Sequence, residues 1–248
     1  KNNLLYLGTN QGLYVKLDGS KEFQLIPGTN GQVWFLNEID GNLFCGHNSG
    51  TFLVQGATAT KISERLGTWI VKKYKEDIYI QGHYNGISFL RKQDSGFEDL
   101  PMLNNFPHSS KSIVVAKDLS IWIGNEHKGV FNLQLNDTLS SASKTSNYKF
   151  DEESGITSGV FQFNDSLYYS SLTNIYKFDQ VENRFDPDNS LNLLVSDVER
   201  VSGRMIVEED DVLWGFSEEG IFSIEPEGVG KDYQLEYIFI DQDYRNIA

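Results

Sequence analysis

Six times along the chain, a short apolar run containing an aromatic is followed by a polar turn and a second apolar run. The copies read LYLGTNQGLYV, LFCGHNSGTFLV, IYIQGHYNGISFL, IWIGNEHKGVFNL, LYYSSLTNIYKF and LWGFSEEGIFSI. The turn residue falls at Gly12, Gly50, Gly86, Gly129, Asn174 and Gly220, in steps of 38, 36, 43, 45 and 46 residues. A period of this length fits one four-stranded propeller blade per repeat. A tight connection between antiparallel strands needs positive φ, which Gly adopts freely and Asn better than most residues. The pattern therefore predicts an all-β propeller of about six four-stranded blades.

Around each turn the residues alternate. Leu5 and Leu7, Leu43 and Cys45, Ile78 and Ile80, and Ile121 and Ile123 share one sheet face, while Tyr6, Phe44, Tyr79 and Trp122 point to the other. Both faces carry apolar bulk, as a blade packed between two neighbours requires. A further apolar run precedes five of the hairpins and predicts an innermost strand A: Val33 to Leu36, Trp69 to Val71, Ile113 to Ala116, Val160 to Phe163 and Met205 to Val207. The hairpin itself supplies strands B and C. Phe23 to Ile26, Thr60 to Ile62, Phe97 to Leu100, Tyr148 to Phe150 and Gln234 to Ile240 read as the outer strand D, and Ser140 to Ser146 as a loop between C and D. No stretch shows sustained helical periodicity. The chain reads as one propeller domain over 1–248, with blades at approximately 1–30, 31–66, 67–108, 109–154, 155–198 and 199–248.

The first copy opens on strand B at Leu4 with no A strand before it, and only Asp241 to Ala248 follow the last D strand. Either Tyr244 to Ala248 supplies the missing strand or the chain is a piece of a larger propeller; the second expectation is preferred, because eight residues make a thin closure.

The net charge of −14 argues against nucleic acid, whose phosphates demand Lys and Arg in excess, and against docking on an anionic membrane surface. No apolar run approaches the length of a membrane span. The single cysteine, Cys45, sits at an inward strand position and reads as a small buried hydrophobe.

In an antiparallel blade the B–C turn and the D–A connection emerge at the same end. All four histidines fall there: His47, His83 and His127 in consecutive B–C turns, and His108 in the D–A loop. With Asn48, Tyr84, Asn125 and Glu126 they form the candidate ligand contacts of a polar rim that also includes Asn10, Gln11, Asn85, Lys128, Glu218 and Glu219. Three readings stay open: solvated turn residues, a pocket hydrogen-bonding a small polar ligand or oligosaccharide, or imidazoles converging on a metal. The preferred assignment has no metal, cofactor or catalytic residue. As exposed turn residues, His83 and Tyr84 are expected to be replaceable at little cost in stability. Trp34 and Trp69, near the starts of A strands, read as core residues or as stacking platforms. No Ser sits in a nucleophile elbow, and the carboxylates lie mainly in acidic turns.

The succession of an apolar strand A, a turn with Asp, a strand B like Leu-Trp-Ile-Gly, a Gly turn and an aromatic strand C resembles the two-component regulator propeller repeat. IWIGNEHKGVFNL and LYLGTNQGLYV carry the likeness best, and it covers roughly residues 4 to 240. Leu167 to Phe178, which lacks both glycines, and Leu213 to Phe216 depart from it. The resemblance implies the extracytoplasmic, periplasmic or extracellular sensor portion of a bacterial membrane receptor, often a histidine kinase or a helix-turn-helix regulator. Its partners would be a polar ligand, other domains of the receptor and a second receptor copy. The alternatives are a metal-assisted polysaccharide lyase, because some propeller lyases gather histidines at the axial opening, and a protein-interaction scaffold. The dipeptides of WD repeats, the paired glycines of kelch repeats and the Asp-box of sialidases are missing.

Overall fold

The computed structural model describes residues 4–150, 158–207, 212–226 and 233–240. Among these the chain is almost entirely antiparallel sheet. The first sheet has three strands, β1 (Leu5–Gly8), β2 (Leu13–Lys16) and β3 (Gln24–Leu25). The second comprises β4 (Val33–Ile39), β5 (Asn42–His47), β6 (Gly50–Gln55) and β7 (Thr58–Ser63), and the third β8 (Ile70–Lys75), β9 (Ile78–His83), β10 (Gly86–Gln93) and β11 (Gly96–Asp99). The fourth contains β12 (Ser112–Val115), β13 (Ile121–Asn125), β14 (Gly129–Leu135) and β15 (Ala142–Tyr148). The fifth holds β16 (Gly159–Phe163), β17 (Ser166–Ser170), β18 (Ile175–Asp179) and β19 (Arg184–Pro187). The sixth holds β20 (Ile206–Val207), β21 (Leu213–Ser217), β22 (Gly220–Pro226) and β23 (Tyr233–Ile240). In each sheet, strand neighbours in sequence are neighbours in the ladder, so the A, B, C, D order holds, with only B, C and D in the first. The acidic turn Glu208 to Asp211 and the closing segment Tyr244 to Ala248 lie outside the described residues.

The chain groups into two compact units. Unit 1 is 1–111 with 115–120 and 133–144; unit 2 is 112–114, 121–132 and 145–248, so residues of the fourth sheet fall in both.

In unit 1 the alternation along strand B becomes two packing layers. Leu43 and Cys45 join Leu13, Val15, Ile26, Phe52 and Val54, while Phe44, from the opposite face of the same strand, joins Val71, Tyr79 and Leu90. Phe44, Tyr79 and Phe97 form a triangle with centroids 5.3 to 5.5 Å apart. Of these, Phe44 and Tyr79 are fully buried, and burial of each contributes about 1.5–3 kcal/mol. Burial pushes the Cys45 thiol up to about 12, so it behaves as a small apolar group. Leu5 and Leu7 depart from this arrangement: they are 58% and 46% exposed, and only the Tyr6 face of β1 is packed. In unit 2 the corresponding layer is aromatic, Trp122 lying 4.6 Å from Phe178 and 5.5 Å from Tyr148.

The repeated glycine has two reasons to be glycine. Gly12, Gly50, Gly86 and Gly220 have φ between 144° and 150°, and Gly129 has φ 79°. In addition, a Cβ at Gly86 would lie 2.9 Å from the Phe106 carbonyl oxygen, and one at Gly12 would lie 2.8 Å from that of Thr29. Ser63 and Tyr148 carbonyls lie still closer over Gly50 and Gly129. The chain leaving strand D therefore crosses its own B–C turn at backbone distance.

Three expectations need correction. Asn174 occupies the turn position, with Ser171 N–H donating to its carbonyl, but it is not among the residues at positive φ. The Ser171 hydroxyl accepts from the amides of Thr173 and Asn174 and closes the turn without a left-handed residue. Most of the expected loop Ser140 to Ser146 is strand β15; as an outermost strand it is exposed at most positions, so no apolar alternation marks it. A six-residue helix, α1 (Asn189–Leu194), follows β19, capped by the Asp188 carboxylate on the Leu191 amide at 3.0 Å.

Candidate functional site

A polar residue stands at the end of strand B or directly after it in every sheet, at Thr9, His47, His83, Asn125, Ser171 and Ser217, and in all but the third sheet its side chain closes the B–C turn. Thr9 Oγ1 accepts from the amides of Gln11 and Gly12, and Asn125 Oδ1 from those of His127 and Lys128, both at 3.1 Å. Ser171 acts as described above, and Ser217 donates to the Gly220 carbonyl. His47 does the same with a ring nitrogen: Nδ1 accepts from the Ser49 amide at 3.0 Å, which leaves Nε2 to carry the proton toward the Thr29 carbonyl at 3.3 Å. Asn125 is 5% exposed and His47 is 0% exposed. Both are turn locks.

His83 ends β9 at the same place but turns inward. Its Nε2 lies 2.8 Å from Ser88 Oγ and its Nδ1 3.3 Å from Thr68 Oγ1. Thr68 in turn meets Thr51 Oγ1 at 2.9 Å, Thr51 donates to Gln81 Oε1 at 2.6 Å, and Gln81 Nε2 donates to Ser88 Oγ at 3.0 Å. All five side chains are fully buried, so the cycle pairs groups whose burial alone would be costly. Burial, with the Arg65 charge adding to it, pushes the His83 imidazole down to about 3, and burial lowers His47 as well. Both rings are neutral at pH 7. The expectation that His83 is an exposed, dispensable turn residue is therefore corrected: it is a strand-end residue in a buried network.

The remaining candidates separate similarly. Asn48 is half-buried and exchanges hydrogen bonds with Gln32, its own amide donating to the Gln32 carbonyl and its Oδ1 accepting the Gln32 amide. His108 is half-buried with its ring edge-on to Phe106 at 5.1 Å. Glu126 is half-buried and His127 exposed in the β13 to β14 turn, which belongs to unit 2, as Asn125 does. Within unit 1, His47 and Asn48 are engaged in turns and His83 in the core; within unit 2, Asn125 is engaged in its own turn. Among the described residues no cluster of three or more His, Cys, Asp or Glu is placed to hold a metal. At the opposite end of the sheets, Asp40 is more than a solvated turn residue. It accepts from the Tyr79 hydroxyl at 2.7 Å and pairs with Lys73, which holds its carboxyl below the usual range.

Tyr84 is the candidate that leads to a site. It is 41% exposed, its hydroxyl accepts the Trp34 indole N–H at 3.1 Å, and its ring meets Trp69 edge-on at 5.1 Å. Trp34 and Trp69 lie 4.6 Å apart, and Lys111 Nζ stands 4.6 Å from the Trp69 centroid. Local structure explains each placement. The β4 to β5 register shifts between Val33 and Phe35, so Trp34 is the extra residue of a bulge and its side chain is re-aimed. The Tyr84 ring lies on Gly67, at φ 71°, where any side chain would collide with it. Trp69 and Lys111 occupy the position just before strand A in the third and fourth sheets. The indole N–H of Trp69 is buried with no hydrogen-bond partner among the described residues. Three partly exposed aromatic rings beside one ammonium make a surface on which a flat ligand face can stack while its polar groups stay wet. Sequence alone offered Trp34 and Trp69 as platforms; the bulge and Lys111 it did not.

No protein-family model and no curated protein matches the chain. Solved structures do. Over 100% of this chain it is 14% identical, with a TM-score of 0.64, to a structure described as the extracellular domain of a hybrid two component system, BT4673, from B. thetaiotaomicron. The match covers 32% of that chain, so the present chain spans about a third of its length. Virginiamycin B lyase from Staphylococcus aureus matches over 98% of this chain and 83% of its own, at 13% identity and a TM-score of 0.63. The WD40 β-propeller domain of Doa1 matches over 92% of this chain and 77% of its own, at 10% identity and a TM-score of 0.65. The fold is thus a six-bladed β-propeller, shared with sensor, enzyme and scaffold proteins. No helix among the described residues is long and apolar enough to cross a membrane.

Proposed function

We propose that the chain is a ligand-sensing propeller module of an extracytoplasmic, two-component-type receptor, related to the two-component regulator propellers, that binds a polar molecule, a carbohydrate in our reading. The observation that carries this is the Trp34, Trp69 and Tyr84 cluster with Lys111 beside it: a bulge spends a strand residue to aim an indole out of the ladder, which packing alone does not require. The alternating C–H and O–H faces of a pyranose suit such a surface, and the length-wide match to an extracellular sensor domain supports the setting. The ligand would act through other parts of the receptor or through a second receptor copy. His108 and the His127 turn remain candidates for its outer contacts.

The test is calorimetry against plant and algal oligosaccharides with and without divalent metal, using the intact chain and Trp34→Ala. Binding lost in the variant, with an unchanged melting temperature, supports the assignment. Binding that survives Trp34→Ala moves the site elsewhere, and steady turnover of a polysaccharide lost on chelation replaces the sensor reading by a lyase.

A further inference from the structure

The five side chains of the buried cycle in unit 1 fix one another's protons. Gln81 sets the direction: Oε1 accepts the Thr51 hydroxyl at 2.6 Å and Nε2 donates to Ser88 Oγ at 3.0 Å, lengths that suit O–H···O and N–H···O in turn. With its proton spent on Gln81, Thr51 meets Thr68 Oγ1 as an acceptor, so Thr68 donates across their 2.9 Å contact. Thr68 then has no proton left for His83 and accepts from Nδ1, 3.3 Å away. The ring is neutral, so Nε2 carries no proton and accepts the Ser88 hydroxyl at 2.8 Å. Donation therefore runs one way round, from Gln81 to Ser88, His83, Thr68, Thr51 and back to Gln81, with one proton for every contact. His83 is thus the Nδ1–H tautomer, the opposite of His47.

The cycle adjoins the aromatic surface through the chain itself. Thr68 precedes Trp69 and His83 precedes Tyr84, and in each pair the first residue is fully buried while the second reaches solvent. The inner members meet at 3.3 Å, and the outer members meet edge-on at 5.1 Å. Backbone contacts follow the same plan. The Thr68 and Trp69 amides donate to the His47 and Gly82 carbonyls, and the Ser110 amide, next to Lys111, donates to the His83 carbonyl at 3.0 Å. His83 therefore holds the residue before Trp69 with its ring and the residue before Lys111 with its carbonyl, and its own successor is Tyr84.

We propose that His83, as the Nδ1–H tautomer, is the positioning residue of the aromatic surface: by drawing the Thr68 hydroxyl inward it turns Trp69 outward against Trp34 and Tyr84. The functional weight of His83 rests on that surface being a ligand site, whereas the geometry is measurable with no ligand present.

Two measurements on the intact chain test it. In nitrogen NMR at neutral pH the unprotonated ring nitrogen should be Nε2 in His83 and Nδ1 in His47; an unprotonated Nδ1 in His83 overturns the proposal. The second is far-ultraviolet circular dichroism, in which indoles with centroids 4.6 Å apart give an exciton couplet, identified as the band that Trp34→Phe removes. His83→Asn, whose amide N–H takes the place of Nδ1–H, should keep the couplet. His83→Gln, whose amide reaches to the place of Nε2, should lose it. Thr9→Ala, a turn-lock variant outside the cycle, should melt below wild type with the couplet intact. A couplet that survives His83→Gln, or that vanishes in both His83 variants or in Thr9→Ala, overturns the positioning role and leaves the surface itself standing. Absence of the couplet in wild type would remove the aromatic surface, and with it both the ligand site and the role of His83.

Discussion

In unit 1 the strand-end imidazole of His83 is folded into a closed, fully buried cycle with Thr51, Thr68, Gln81 and Ser88, whereas in unit 2 the residues at the same place, Asn125, Ser171 and Ser217, turn back on their own hairpins. The first arrangement links sheets through side chains. The second closes each hairpin on itself, over four consecutive residues. Unit 2 has aromatic contact, Phe150 stacking on Tyr169 at 4.2 Å and Phe178 meeting Trp122 at a tilt at 4.6 Å. One repeat position thus serves two kinds of cohesion. Polar networks are geometry-dependent and respond to protonation, while aromatic layers are indifferent to pH.

The largest expected effect exposes the feature both units share, the overlaid turn. Gly86→Val forces a β-branched residue to φ 147° and drives its Cβ toward the Phe106 carbonyl; destabilisation of at least about 3 kcal/mol is expected in urea denaturation. The matching change in unit 2, Asn174→Ala, meets no such demand and should stay within about 0.5 kcal/mol. Equal losses would show that the two turns are alike after all.

Next comes pH. An unfolded imidazole titrates near 6.5, while folded His83 is pushed down to about 3. Between these values the unfolded chain binds the extra proton. The contribution of His83 is therefore complete above about pH 6.5 and is lost as pH falls toward 3, by about 1.4 kcal/mol per unit once the unfolded ring is charged. Denaturation midpoints of His83→Gln should lack this slope, whereas His127→Gln, an exposed ring in unit 2, should keep it. Hydrogen exchange should show acid weakening unit 1 before unit 2.

Smaller still is the loss of a turn lock. Ser171→Ala removes an acceptor shared by two amides and should cost about 1 kcal/mol, as should Thr9→Ala in unit 1. A much larger loss at either would mean that the lock reaches beyond its own hairpin.

The period, the turn glycines and the A strands were legible because sheets packed on both faces repeat apolar residues at fixed intervals, and because positive φ restricts composition. Strand β15 was not, since an outermost strand has little apolar signal to offer. Asn174 was misread because asparagine is compatible with a left-handed turn without requiring one. His83 was placed in solvent because the last residue of a strand and the first of a turn are one position apart in sequence, yet His83 is fully buried and Tyr84 is exposed. Of the candidate site, Tyr84, Trp34 and Trp69 were visible as residue types. Their meeting was not, because a bulge shifts a side chain without leaving a mark in composition.

The carbonyl that crosses each turn glycine also fixes where the chain can be divided. Ser63 and Tyr148 end strand D and Thr29 and Phe106 follow it, and each seals the hairpin of the sheet just completed. The portable segment is therefore not A through D but B through the following D–A connection. Its natural seams are the A–B turns at Asp40, Leu119 and Asn164, whose residues at positive φ close local loops. A chimera joined at Asp40 carries every hairpin with its seal and keeps the Thr68 hydroxyl with Thr51, whereas one joined at Gly67 separates that pair.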